Sequence, residues 1–232
     1  PLMRLYKRSP DAIVAVFPSD HYIFEEDRFM DHVALAARAV AHDPSRIVLL
    51  AIEAQGPEVE YGYILPQPSD GLFNLWGMHR AAKFVEKPNS RLARELVTAG
   101  GLWNTMIMVF KVRTVLALMR RLCPATYYHF ASIFEAIDTT MEAQAVAALY
   151  EKLEPMNFSK DFLEKVSGSN PAAIAVLPVL DVYWSDWGSP DRIEESLELL
   201  ERPRRHEITR APTSRRNPSH EPASPTFQME LR

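Results

Sequence analysis

Four short groups of polar and charged residues could carry chemistry, and each follows or interrupts an apolar, strand-like stretch. The first group contains Asp20 and comes directly after the run at 12–17. The second group contains Asp186 and precedes a helical pattern at 190–200. In open α/β sheets, ligands bind just beyond the carboxyl ends of strands. Hard divalent cations such as Mg²⁺ prefer carboxylate oxygens there. Each aspartate alone is most simply a turn or cap residue, but together they could form one metal site.

The third group is Glu86-Lys87-Pro88, at the end of a predicted strand over 81–85. A carboxylate can accept hydrogen bonds from sugar hydroxyls, and an ammonium group can neutralise a phosphate. Neighbouring residues in a strand point to opposite faces, so a solvated charge pair is an equally good interpretation. Both side chains reach one ligand only if the backbone bends at Pro88.

The fourth group contains Asn104, an amide within the apolar stretch 102–110. Leaving a buried amide without a partner costs about 1–3 kcal/mol, so Asn104 must bind something. The sequence favours a neighbouring backbone group over a ligand hydroxyl as this partner. Gly62, between two tyrosines, is compatible with close approach of a ligand or with a simple bend.

Apolar runs and helical periodicities predict an α/β domain that positions these groups. The runs at 12–17 and 47–52, separated by a helical pattern, indicate two strands buried on both faces in a βαβ unit. Further elements are predicted as strands at 73–76, 81–85, 102–110 and 172–179, and as helices at 2–8, 90–98, 112–122 and 190–200.

Composition and charge narrow the function class. The chain has 232 residues, 47% of them hydrophobic, and a net charge of -4, which gives no reason to expect a nucleic-acid partner. Its single cysteine, Cys123, fits a reducing cytoplasm, and the absence of a long apolar run predicts no membrane span. Residues 202–232 carry seven arginines against three glutamates and five prolines, which predicts a disordered basic tail after a domain over 1–201.

Six motifs in a fixed order carry a family resemblance. They are FPSDHYI, EYGYI, FVEKPN, GGLWNT, NFSKDFLEKV and WSDWGSPDRI, between about residues 10 and 200. No single motif is specific, but their order resembles the GDP-mannose pyrophosphorylase (mannose-1-phosphate guanylyltransferase) family of sugar nucleotidyltransferases.

The resemblance implies a Rossmann-like α/β domain with a mixed, mainly parallel sheet flanked by helices. It implies transfer of a nucleotide from a triphosphate to a sugar 1-phosphate, with mannose 1-phosphate and GTP giving GDP-mannose and pyrophosphate. It assigns catalytic roles to Asp20, Lys87 and Asp186, of which Asp20 and Asp186 also hold Mg²⁺. It assigns sugar binding to Gly62, Glu86 and Asn104. A cytoplasmic location is expected, and homo-oligomerisation is left open.

The sequence also departs from the family pattern. The GGxGTR-type loop that grips the triphosphate is absent, and Glu60 stands where a glycine is common. We therefore expect a chain that lacks the first strand and this loop, either as a fragment or as a truncated product, with little or no nucleotidyl transfer. One alternative is a non-catalytic remnant or partner subunit that keeps the sugar-phosphate half. A glycosyltransferase is a weaker alternative, because residues 18–21 contain one aspartate and not an Asp-x-Asp pair.

Overall fold

The computed structural model describes residues 1–69 and 71–201, which contain both strands and helices. The strands are β1 (Ile13–Val16), β2 (Tyr22–Ile23), β3 (Ile47–Glu53), β4 (Tyr63–Pro68), β5 (His79–Val85), β6 (Leu102–Lys111), β7 (Ile174–Pro178) and β8 (Trp184–Ser185). The helices are α1 (Leu2–Arg8), α2 (Glu26–His42), α3 (Gly71–Leu75), α4 (Ser90–Thr98), α5 (Val112–Leu122), α6 (Pro124–Ala131), α7 (Glu142–Tyr150), α8 (Glu164–Ser169) and α9 (Pro190–Glu201). A π-helical turn at Ser159–Leu163 leads into α8.

Six strands form one mixed sheet in the order β1-β6-β3-β7-β5-β4, and β4 also pairs with β6. Strands β1, β3, β4 and β7 run in one direction, while β5 and β6 run in the other. In the described part of the chain, β3 and β7 are the one parallel neighbouring pair. The predicted α/β fold with a mixed sheet flanked by helices is confirmed.

Strand β3 lies at the centre of the sheet, and its residues pack alternately against the two faces. Val48, Leu50 and Ile52 contact one apolar cluster that includes α2. The residues between them contact a second cluster built on α5 and α8. Since the side chains of a strand alternate, a continuous apolar run is the expected sequence for a strand covered by helices on both faces.

Strand β1 departs from the predicted burial on both faces. It pairs with β6 and lies at an edge of the sheet as far as the structure describes it. Ile13 and Val16 are 39% and 37% exposed, because no further strand or helix covers that edge within the described residues. The βαβ unit is also altered, since β6 inserts between the parallel strands β1 and β3 and pairs with both.

Residues 73–76 were predicted as a strand, and this prediction is wrong because the structure forms α3 there. Phe73 is buried whereas Leu75 is 80% exposed, which a half-buried strand would not allow because both would lie on one face. A helical turn instead brings Phe73 and Trp76 together, with ring centroids 5.9 Å apart.

Helix α4 forms as predicted, and its cap is visible. The Asn89 side chain accepts a hydrogen bond from the Leu92 backbone N–H at 2.9 Å, which satisfies a donor of the first turn. Gly100 follows the helix with a φ of 77°, a left-handed conformation that glycine adopts without strain.

The remaining predictions concern the tail and the absence of a membrane span. The tail predicted over residues 202–232 lies outside the described residues. Within the described ranges, the helices are too short or too polar to cross a bilayer.

Thr105 should be important for stability, because its buried hydroxyl holds an irregularity in the central sheet. It donates to the Leu50 carbonyl at 2.7 Å and accepts from the Ile107 N–H at 3.2 Å. We expect Thr105→Val to lower the free energy of unfolding by about 1–3 kcal/mol, since both hydrogen bonds are lost at a fully buried site.

Urea unfolding measures this loss, and Thr140→Val at an exposed position is the matched control. The control should stay within about 0.5 kcal/mol of the unchanged protein. Equal stability of the two variants would contradict the structural role given to Thr105.

Candidate active site

Gly62, Glu86 and Asn104 meet where three strands converge. Gly62 precedes β4, Glu86 follows β5, and Asn104 lies near the start of β6. The Asn104 backbone N–H donates to the Gly62 carbonyl at 2.8 Å. A methyl group on Gly62 would lie 2.7 Å from the Glu86 Oε2 and 3.5 Å from the Asn104 Cβ. Gly62 therefore leaves the space that the Glu86 carboxylate occupies.

Glu86 is a half-buried carboxylate with an altered acidity. Burial raises its pKa, while a hydrogen bond from Ser159 and the charge of Lys87 lower it in part. The Glu164 carboxylate adds to the rise in pKa and accepts the Glu86 backbone N–H at 2.7 Å. Glu86 thus presents a poorly solvated acceptor, which favours hydrogen bonds from a ligand's hydroxyl groups.

Asn104 is buried, with 5% of the residue exposed, and its side chain holds its own strand in place. Its Oδ1 accepts from the Met106 backbone N–H at 3.2 Å, where Met106 has a φ of 57°. Its Nδ2 lies 3.0 Å from the Met106 sulfur, which is a weak acceptor. The structural role that the sequence favoured is therefore present, and the Nδ2 hydrogens remain weakly engaged.

Lys87 lies on the turn after β5, with a φ of 43° that bends the chain before Pro88. Its ammonium group is 3.0 Å from the Glu60 Oε2, and both side chains are more than half exposed. The hydrogen bond to Glu60 raises the pKa of Lys87, and the carboxylates of Glu86 and Asp186 contribute to the same rise. The bend thus turns Lys87 toward Glu60, two residues before Gly62, and we refer to the surroundings of Gly62, Glu86, Lys87 and Asn104 as the cleft.

Asp186 is held by three donors at the end of β8. Its Oδ1 accepts from the Tyr61 hydroxyl at 3.1 Å, from the Gly188 N–H at 3.0 Å and from Arg192 Nη1 at 3.0 Å. The same Arg192 nitrogen lies 3.2 Å from Oδ2. Burial raises the pKa of Tyr61, so its hydroxyl stays protonated and donates.

Asp20 and Asp186 lie next to the same end of the two-stranded sheet formed by β2 and β8. Strands β2 and β8 are antiparallel, with Tyr22 opposite Ser185, so the residues before Tyr22 and after Ser185 adjoin. The Asp20 carboxylate is 76% exposed and lies 4.0 Å from the ring of His21. The two predicted metal ligands therefore come to one end of one element, although they are far apart in sequence.

The donor chemistry of this pair fits a hard divalent ion. Asp20 offers an accessible carboxylate, and Asp186 Oδ2 has Arg192 as its one hydrogen-bond donor among the described residues. Across those residues no group of three or more His, Cys, Asp or Glu is arranged around a metal position. A site of two carboxylates would need substrate phosphates to complete the shell, as Mg²⁺ sites commonly do.

Sequence reasoning missed His21 and Arg192. The Trp184 indole N–H donates to His21 Nδ1 at 3.1 Å, which leaves the ring proton on Nε2, facing Asp20. Arg192 lies in the first turn of α9, where the helix dipole disfavours a cation. A basic residue at a helix start needs a carboxylate partner, and this signal could have pointed to the pair with Asp186.

Comparison with known proteins identifies the family of this chain. The sequence profile described as nucleotidyl transferase matches residues 3–202. The chain belongs to the nucleotidyl transferase family. The alginate biosynthesis protein AlgA of Pseudomonas aeruginosa is 30% identical over 81% of this chain and 37% of its own length. Mannose-1-phosphate guanylyltransferase 2 of Escherichia coli O157:H7 is 31% identical over 79% of this chain and 38% of its own length.

Solved structures agree on the fold of this nucleotidyl transferase chain. The mannose-1-phosphate geranyltransferase of Thermus thermophilus superposes with a TM-score of 0.65 at 23% identity, over 80% of this chain and 49% of that one. The chain thus spans less than two-fifths of these curated relatives and about half of this solved structure.

The pairing of His21 predicts a pH dependence of stability. Burial lowers the pKa of folded His21 below its ordinary value of 6.5, outweighing the charges of Asp20 and Asp186. The unfolded chain then binds more protons than the folded chain just below that value. Stability should be kept above about pH 7 and should fall as the pH decreases through the window below 6.5.

His21→Gln can keep the acceptor for Trp184 but cannot titrate. Unfolding free energies measured between about pH 7.5 and about pH 5 should fall less steeply for this variant than for the unchanged chain. Parallel curves for the two proteins would show that His21 does not carry the effect.

Proposed function

We propose that this cleft binds a sugar 1-phosphate, with mannose 1-phosphate as the first candidate, and joins it to a nucleotide from GTP. The contact of Gly62 with Glu86 and Asn104 is the observation that carries the proposal. The neighbouring residues of the same segment link it to the other site residues, since Glu60 pairs with Lys87 and the Tyr61 hydroxyl donates to Asp186. Family membership supports the reaction class. The choice of mannose and guanine is supported by relatives named mannose-1-phosphate guanylyltransferase, including one from Sinorhizobium fredii that is 27% identical.

The sugar would lie against Glu86 and Asn104. The Glu86 carboxylate accepts hydrogen bonds from ring hydroxyls, and the weakly engaged Nδ2 of Asn104 donates to another. Such bonds to a charged acceptor contribute about 1.5–3 kcal/mol each. The absence of a side chain at Gly62 allows the Glu86 carboxylate to keep this position.

The phosphate would meet Lys87. The pair with Glu60 is exposed, and exposed pairs contribute only about 0–1 kcal/mol, so a phosphate dianion can displace Glu60. Lys87 then neutralises charge on the phosphate whose oxygen attacks the α-phosphorus of the triphosphate. The bond from that phosphorus to the bridging oxygen breaks, and pyrophosphate leaves with the electron pair.

Mg²⁺ would be held by Asp20 and Asp186, where it supplies charge neutralisation between the two phosphate groups. The attacking oxygen is already deprotonated, so neither a protein nucleophile nor a general base is required. The chain's own contribution is to orient the sugar and to place Lys87 beside the reacting phosphates.

A second candidate is a subunit that binds the sugar phosphate without transfer. The observation that favours it is that Lys87 and Asp186 are both paired with residues of the chain itself, Glu60 and Arg192. Calorimetry with mannose 1-phosphate, followed by an assay of pyrophosphate release with GTP on a version to which a GGxGTR-type loop has been added, separates the two. Binding with turnover supports transfer, whereas binding without turnover supports the second candidate.

Glu86→Gln should weaken mannose 1-phosphate binding by about ten-fold or more, because the strong charged acceptor is lost while the side-chain shape is kept. Isothermal calorimetry of the 232-residue chain measures the change. Glu151→Gln is the matched control at an exposed position outside the cleft, and its affinity should equal that of the unchanged chain. Equal affinities of the Glu86 and Glu151 variants would refute the proposed role of Glu86.

Gly62→Ala should also weaken this binding, because the new methyl group pushes the Glu86 carboxylate aside. The carboxylate is the far end of a flexible side chain, so the free energy of unfolding should change by less than about 1 kcal/mol. Gly56→Ala adds a methyl group with nothing within 4 Å and serves as the control. Unaltered affinity of the Gly62 variant would show that its methyl group does not disturb the sugar position.

A further inference from the structure

The guanidinium of Arg192 contacts both carboxylate oxygens of Asp186. One of its nitrogens is 3.0 Å from Oδ1 and 3.2 Å from Oδ2 of Asp186. Oδ1 already accepts from Tyr61 and Gly188, so its capacity is filled. Asp186 is thus neutralised by a cation that belongs to the chain.

Arg192 is fixed in this position by more than Asp186. Its second terminal nitrogen donates to Glu58 Oε2 at 3.0 Å, and its guanidinium lies 4.4 Å from the centre of the Tyr61 ring. Its side chain is 20% exposed, and that of Asp186 is 22% exposed. Charge-assisted hydrogen bonds are stronger than neutral ones, and a partly buried pair is screened less by solvent and salt than an exposed pair.

The surroundings are built to accommodate the pair. A methyl group on Gly188 would lie 2.8 Å from Asp186 Oδ2 and 3.1 Å from Arg192 Nη1. The start of a helix disfavours a positive charge, so the carboxylates of Glu58 and Asp186 supply the compensation that keeps Arg192 there.

We propose that Arg192 is an internal counter-ion that competes with the divalent metal for Asp186. A metal ion bound to Asp20 gains Asp186 Oδ2 as a ligand against the positive charge of Arg192, whose Nη1 lies 3.2 Å from that oxygen. Arg192 therefore limits the metal affinity of the cleft and acts through Asp186, without touching the reacting groups. The inference deepens the proposed function and rests on its metal site at Asp20 and Asp186.

Titration with Mn²⁺, followed by the electron paramagnetic resonance signal of the free ion, tests the competition without an activity assay. Arg192→Gln removes the charge and keeps most of the side chain, so Mn²⁺ should bind about ten-fold or more tightly than in the unchanged protein. Arg192→Lys keeps a charge but cannot bridge Glu58 and Asp186, and its affinity should be intermediate. Arg91→Ala removes the exposed pair with Glu95, at 86% and 56% exposure, and should leave the affinity unchanged.

A second substitution locates any gain in affinity. Adding Asp186→Asn to Arg192→Gln should return Mn²⁺ affinity to the level of the unchanged chain or below it, and circular dichroism checks that each variant is folded. If Mn²⁺ binds the unchanged and Arg192→Gln proteins equally, while Asp20→Asn weakens both, the metal site stands and the competition is wrong. If neither aspartate affects Mn²⁺ binding, the metal site and the competition are both wrong.

Discussion

The double pairing of Tyr63 is the constraint on which the cleft depends. Tyr63 is opposite Val85 of β5 and also opposite Trp103 of β6, so the first residue of β4 lies between two antiparallel strands. Each partner is followed by a polar residue of the site, Val85 by Glu86 and Trp103 by Asn104. Backbone hydrogen bonds of a sheet fix these neighbours to within a few ångströms, which explains why residues from three separate motifs meet.

Charge pairing within the chain is the second organising feature of the cleft. Lys87 is paired with Glu60 near the solvent, and Asp186 is paired with Arg192 in a less exposed position. Removing one partner from a poorly solvated pair leaves a charge that is expensive to keep, whereas an exposed pair exchanges partners readily. A ligand phosphate can therefore replace Glu60 more easily than a metal ion can replace Arg192.

The sequence predicted the individual strands and helices better than it predicted which of them pack or pair with each other. The strand β3 and the helices α4 and α5 were readable because apolar periodicity and caps are local signals. The exposure of β1, the insertion of β6 and the helix α3 depend on contacts distant in sequence, which a local pattern does not contain. The structure brings Gly62, Glu86 and Asn104 together, and the sugar-binding role that the family resemblance assigned to them stays a prediction. Arg192 was missed because its place in the first turn of a helix indicates only that a carboxylate partner is needed, while side-chain contacts decide which carboxylates those are.

A nuclear magnetic resonance titration with mannose 1-phosphate tests the central claim, that one cleft at the β4, β5 and β6 junction binds a sugar phosphate. The account predicts that the backbone amide signals of Gly62, Glu86, Lys87 and Asn104 shift together and saturate with one dissociation constant. The amide of Tyr150, the last residue of α7, should not shift. Saturable shifts around Tyr150 with none at the four cleft residues would contradict the account.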